Sequence, residues 1–80
     1  MYDTEIKNNR LVDCRGLQCP LPILQTRLAL NQCQSGDQLT ILADDPTFEK
    51  DFLSFCQLAS ITCLLRTHHE THTQYDCRVD

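Results

Sequence analysis

Apolar and polar positions follow strand-like and helix-like periods in alternation along this chain. Leu11-Val12-Asp13-Cys14 predicts a short first strand, and Arg15-Gly16-Leu17-Gln18 a loop. Residues 20–34 predict a helix, with Pro20 in the first turn, where a missing N–H does no harm. Gly36-Asp37 stops it, and Gln38–Ala43 predicts a second strand. Asp44-Asp45-Pro46 predicts the start of a second helix, with an Asp cap and Pro at its first position. Glu49 then falls in the first turn, where the helix dipole favours an anion. Phe48, Phe52, Phe55, Cys56 and Ala59 recur at helical spacing and form one apolar face. Residues 61–67 and 73–79 predict two strands joined by a hairpin at His68–His72. In the last strand Thr73, Tyr75, Cys77 and Val79 alternate with Gln74, Asp76 and Arg78, a half-buried pattern.

The predicted order is βαβαββ. It implies an α+β two-layer sandwich, with two helices on one face of a four-stranded mixed sheet and the other face open to water. Residues 1–9 are polar and read as a loose arm, leaving residues 10–80 as one domain. A chain of 80 residues has no room for a second domain. It buries only about 60% of its unfolded surface, so chemistry is expected at an exposed residue rather than in a large enclosed cavity.

Charge and cysteine content narrow the function. Seven Lys+Arg against eleven Asp+Glu give a net charge of −4, which argues against direct nucleic-acid binding. The first residues lack the basic and apolar regions of a signal peptide, and no stretch approaches the ~20 apolar residues of a membrane span. A cytoplasmic location without membrane attachment is expected. The six cysteines, Cys14, Cys19, Cys33, Cys56, Cys63 and Cys77, could form three bridges, but a reducing compartment weakens that reading. Their spacing does not match a structural zinc site, and no metal or cofactor is expected. The histidines of the 68–72 stretch read as a solvated turn rather than a metal centre.

The sharpest local feature is Cys19-Pro20-Leu21-Pro22, which sets a cysteine at a helix N-terminus. A thiolate is the nucleophilic form of cysteine, and a helix N-terminus lowers a thiol pKa by aiming free N–H groups at the sulfur. Pro20 and Pro22 are expected to fix the entry of the chain, and Gly16 the shape of the loop. Arg15 is expected to add positive charge. Spacing alone leaves the alternative of a buried cysteine before a proline-started helix equally open.

The run Asp13-Cys14-Arg15-Gly16-Leu17-Gln18-Cys19-Pro20-Leu21-Pro22 resembles the signature of the TusA/SirA family of small sulfur carriers. A second match follows in Ala43-Asp44-Asp45-Pro46-Thr47, Asp51 and Phe55-Cys56, so the resemblance spans about residues 10–80. The family's βαβαββ sandwich agrees with the order above. The resemblance implies a sulfurtransferase whose motif cysteine, here Cys19, accepts sulfane sulfur as a persulfide. A cysteine desulfurase or other sulfur donor would load it, and a downstream sulfur-accepting protein would unload it, as in 2-thiolation of tRNA. The acidic balance directs any tRNA role through protein partners.

Helix one carries two apolar stripes. Ile23, Ala29, Leu30 and Cys33, with Thr26, form one; Leu21, Leu24 and Leu28 form the other. Relatives often carry charge at the position of Leu28, which implies that Leu21, Leu24 and Leu28 are a partner-binding surface. One wide buried face is the alternative. Arg27 is a candidate docking charge or a solvated side chain, and Asp44 and Asp45 read as a helix cap. Cys33, Cys56, Cys63 and Cys77 read as core cysteines. Cys14 reads as a strand residue pointing into the sheet, or as a resolving thiol for Cys19. Two rival functions follow: a thiol redox regulator using Cys14 and Cys19, and a regulatory binding module in which Cys19 only packs.

Overall fold

The computed structural model describes residues 9–80. The expected arm lies outside the described residues except for Asn9, which opens the first strand. The elements are β1 (Asn9–Cys14), α1 (Leu21–Leu30), β2 (Gln38–Ala43), α2 (Phe48–Ala59), β3 (Ile61–His68) and β4 (Thr73–Val79). The chain has the βαβαββ order and the α+β class read from its periodicity.

The sheet runs β1-β2-β4-β3. β1 and β2 are parallel, joined by the crossover through α1, and β4 is antiparallel to both β2 and β3. β2 and β3 therefore point the same way, with β4 inserted between them. The alternation set by the pleat decides what is buried. Val12 and Cys14, Leu39, Ile41 and Ala43, Ile61, and Tyr75, Cys77 and Val79 all point to one face and are buried. Their neighbours along each strand are exposed or half-buried. Both helices cover that one apolar face, since α1 and α2 also touch each other, with the Arg27 guanidinium 5.3 Å from the centre of the Phe55 ring.

α2 supplies the three phenylalanines of the core. Phe48, Phe52, Phe55 and Cys56 are buried and Ala59 packs against them, so the face predicted from spacing is the face that packs. Phe48 and Phe52 stack at 5.1 Å, and both meet the Tyr75 ring, at 5.4 and 5.1 Å. The Tyr75 hydroxyl donates to Glu49 Oε1 at 3.1 Å, and Arg66 pairs with the other oxygen of the same carboxylate. An otherwise apolar cluster thus has its one polar tip satisfied.

Several element boundaries differ from the periodic reading, and β1 begins at Asn9 rather than Leu11 and α1 at Leu21 rather than Pro20. α1 ends at Leu30 rather than at 34 because the next amides tighten, Gln32 N–H bonding Ala29 C=O at 3.0 Å and Cys33 N–H bonding Leu30 C=O at 3.0 Å. The buried Asp37 holds that turn, accepting from the Gln34 N–H at 2.9 Å. α2 starts at Phe48, two residues beyond Pro46, with Thr47 at the cap position and no side-chain cap bond. β3 extends to His68, so the hairpin closes on the His69 N–H to His72 C=O bond at 2.8 Å.

Replacing the central aromatic tests this core. Phe52→Ala is expected to lower unfolding free energy by about 3–5 kcal/mol, read from urea denaturation. A loss below about 1 kcal/mol would mean that Phe52 is not the centre of the packing.

Candidate functional site

β1 and β2 are parallel neighbours, and Cys14 pairs with Ala43 at their ends. The segments that follow, Arg15–Pro20 and Asp44–Thr47, must therefore emerge side by side. A crevice beyond the carboxyl ends of parallel strands is a common place for sites in open sheets. Here an open groove of about 490 Å³ forms, lined by Gly16, Leu17, Gln18, Cys19, Asp44, Asp45 and Pro46.

Two carboxylates tie the segments together. The Gly16 N–H donates to both oxygens of Asp44, at 3.1 and 3.0 Å. The Cys19 N–H donates to Asp45 Oδ2 at 2.6 Å. The other oxygen of Asp45 accepts from the Thr47 N–H and hydroxyl, each at 3.0 Å. These amide bonds hold the Asp45 pKa below the ordinary carboxylate value. The aspartates expected to cap α2 are thus spent on the cysteine loop and on the turn before the helix. Gly16 has φ +83°, a conformation that glycine adopts without steric cost.

Cys19 is exposed at the rim of this groove, just before α1. Its Sγ–H donates to Asp51 Oδ2 at 3.5 Å, from the first turn and a half of α2. Partial desolvation, the hydrogen bond to Asp51 and the charges of Asp51 and Asp45 all raise the thiol pKa above its ordinary value. The expectation was a thiolate activated by the helix end; the surroundings of Cys19 instead favour the thiol. The physical reason lies partly in the prolines. Pro20 and Pro22 have no N–H, and the Leu21 N–H is taken by the Gln18 C=O at 2.9 Å. The first turn keeps few free donors, while two carboxylates stand close by.

Arg15 is likewise not where charge complementarity to Cys19 would put it. Its guanidinium forms a two-point pair with Asp13, at 2.9 and 2.7 Å, which holds Asp13 near a pKa of about 2. Pro22 is buried, and its C=O accepts from the Thr26 hydroxyl at 2.9 Å, so it anchors the start of α1 in the core. Leu21, Leu24 and Leu28 are 46%, 47% and 59% exposed, which decides between the two stripes of α1. They lie on the helix that begins at Cys19-Pro20, and Arg27 is exposed on the same helix.

Cys14 is fully buried, its Sγ directed at the Pro22 C=O at 3.8 Å, and burial raises its pKa. It faces the underside of α1 and does not line the groove with Cys19. The histidine hairpin borders a second hollow of about 340 Å³ that shares Asp44, Asp45 and Pro46 with the first. Among the described residues, no cluster of three metal-binding side chains converges there.

Asp51 is the residue that reasoning from spacing missed. It follows the apolar residue pattern of α2 without joining it. A signal was available: Asp51 stands in the second motif match, and on α2 it falls three residues after Phe48 and four before Phe55, on the flank of the apolar face.

Among the described residues no helix is long and apolar enough to cross a membrane. The profile of the sulfurtransferase TusA family matches residues 10–78. Two candidate sulfur carrier proteins, from Neisseria meningitidis serogroups A and B, are each 50% identical over 50 residues. Each match covers 62% of this chain and 68% of the relative. The chain belongs to the TusA sulfurtransferase family and shares its role in sulfur transfer.

Proposed function

We propose that this protein carries sulfane sulfur as a persulfide on Cys19 and hands it to a protein acceptor. The observation that supports this most is the placement of Cys19: one exposed thiol on the rim of an open groove, with its backbone held by Asp45 and its sulfur by Asp51. Such a sulfur can be covered by a partner's surface and needs no enclosed pocket.

The step is an exchange at sulfur. The Cys19 sulfur attacks the terminal sulfur of a persulfide on the donor. A new S–S bond forms on Cys19, the donor's S–S bond breaks, and the donor cysteine leaves as a thiolate. The Cys19 proton passes by way of the Asp51 carboxylate and ends on the leaving thiolate. Asp51 thus serves as the relay for that proton while the donor's S–S bond breaks. A cysteine desulfurase is the donor chemistry we favour, and 2-thiolation of a tRNA uridine by downstream proteins the endpoint. The net charge of −4 favours reaching tRNA through those proteins. The exposed leucines 21, 24 and 28 and Arg27 would form the docking surface beside the sulfur, as exposed apolar patches commonly do. We place the relay in the cytoplasm, the compartment in which an exposed thiol stays reduced.

Incubation with a cysteine desulfurase and cysteine is expected to add about 32 Da, one sulfur atom, to the intact protein. Reductant should remove it, and Cys19→Ser should not acquire it. Leu28→Glu should fold normally but load more slowly. A Cys19→Ser protein that still gains sulfur would contradict the proposal, and an inert wild type would favour the binding-module reading.

The pH dependence of Cys19 has a defined sign. A neighbouring anion disfavours the thiolate, so removing it lowers the thiol pKa. Asp51→Asn should therefore increase alkylation of Cys19 by iodoacetamide at pH 7, roughly tenfold for each pKa unit released. Its rate profile should shift to lower pH. An unshifted profile would mean that Asp51 does not set the protonation of Cys19.

A further inference from the structure

Three cysteines outside the groove converge beneath α2: Cys56 on the helix, Cys63 on β3 and Cys77 on β4. Nothing in the transfer of sulfur through Cys19 uses them. We propose that Cys63 and Cys77 are an oxidation site, at which a hydroperoxide closes the two thiols into a reversible cross-strand disulfide.

The register makes the pair. Cys63 lies directly opposite Cys77, and both side chains point to the helix-covered face. The backbone bonds then identify the type of pair. In an antiparallel ladder each residue sends both its N–H and its C=O to one neighbouring strand, and successive residues alternate. Val79 sends both groups toward β2, its N–H to the Asp37 C=O at 2.8 Å and its C=O to the Gly36 N–H at 2.8 Å. Asp80 sends its N–H the other way, to the Ser60 C=O at 2.9 Å, just ahead of β3. Two residues back from Val79, Cys77 bonds toward β2 and meets Cys63 as a non-hydrogen-bonded pair. Such pairs have Cα atoms about 4.5 Å apart, inside the range of about 4.4–6.8 Å that a disulfide spans. The register of β3 breaks directly after Cys63, where Leu64 bulges out before Leu65, which gives the Cys63 backbone room to adjust.

Access and reach complete the case. Cys63 is half-buried, whereas Cys77 is 1% exposed and Cys56 is buried, so oxidant meets Cys63 first. The Cys63 Sγ is directed at the Leu65 C=O at 3.9 Å, so the bridge closes by rotation of that side chain toward Cys77. Burial raises the thiols of both Cys56 and Cys77, so oxidation starts at Cys63 and Cys77 reacts second, on the sulfur that its register places directly opposite.

The chemistry balances with hydrogen peroxide as the oxidant. The Cys63 sulfur attacks one peroxide oxygen, the O–O bond breaks, a sulfenic acid forms and water leaves. The Cys77 sulfur then displaces hydroxide from the Cys63 sulfur. That hydroxide takes the Cys77 proton and departs as a second water. Two thiols lose two hydrogens, and one peroxide is reduced to two waters. A thiol reductant reverses the bridge by exchange.

The test uses the full chain carrying Cys19→Ser, so that its outcome is independent of sulfur loading. After hydrogen peroxide, intact mass should fall by about 2 Da and recover with dithiothreitol. Non-reducing peptide mapping should find the Cys63 peptide joined to the Cys77 peptide. Cys63→Ser and Cys77→Ala should each abolish the loss. Should Cys77→Ala not fold, Cys63→Ser alone carries the test, because its position is half-exposed. A bridge through Cys56 or Cys33, or oxygen added at Cys63 with no cross-link, would overturn the proposal.

Discussion

The site depends on two aspartates at the end of β2 accepting backbone N–H groups from the loop at the end of β1. Asp44 takes Gly16 and Asp45 takes Cys19. The loop between a strand and a short helix has few internal partners for its amides, and Pro20 and Pro22 contribute none. Unpaired amides in such a loop would leave its shape undefined. Charge-assisted bonds to carboxylates are about twice as strong as neutral ones, so two of them suffice to set one loop conformation. The parallel pairing of β1 and β2 is what brings the two segments together. The two motifs, 13–22 and 43–47, are thus one structure read in two places along the chain.

Those carboxylates have an electrostatic consequence. Asp45, which holds the loop, also stands near the sulfur, and Asp51 adds a second carboxylate from α2. The surroundings of Cys19 favour the thiol over a standing thiolate. On the proposed account this suits a carrier. An exposed thiolate reacts with any electrophile or oxidant it meets, whereas a thiol with an adjacent carboxylate waits for a partner that completes the site. The partner's own positive charge would relieve the repulsion around the thiolate at the moment of transfer.

Much of the fold was legible because burial here follows simple periods. The aromatic face of α2 and the alternation of β4 each point to one side, and each packs that way. What periodicity could not show was the use of polar side chains. Asp45 has the residue type of a helix cap, yet its carboxylate reaches another segment. Asp37 ends α1 through a side-chain bond across a turn, which no apolar period records. Arg15 is near Cys19 in sequence, but Asp13, two residues before it, is a better-placed partner. The thiol environment was misjudged for a related reason. A helix N-terminus suggests free amides, and the count of amides matters more than the presence of the terminus. The exposed leucines of α1 followed from a resemblance, and burial then separated the two stripes.

The claim that Asp45 holds the Cys19 backbone is open to direct observation by amide hydrogen exchange, followed by nuclear magnetic resonance. The Cys19 amide is expected to exchange slowly in the native protein, although it lies in an exposed loop. Asp45→Ala should bring it to the rate of an open loop and leave the amides of β2 and β4 protected. A Cys19 amide that exchanges freely in the native protein, or stays protected in Asp45→Ala, would contradict the account.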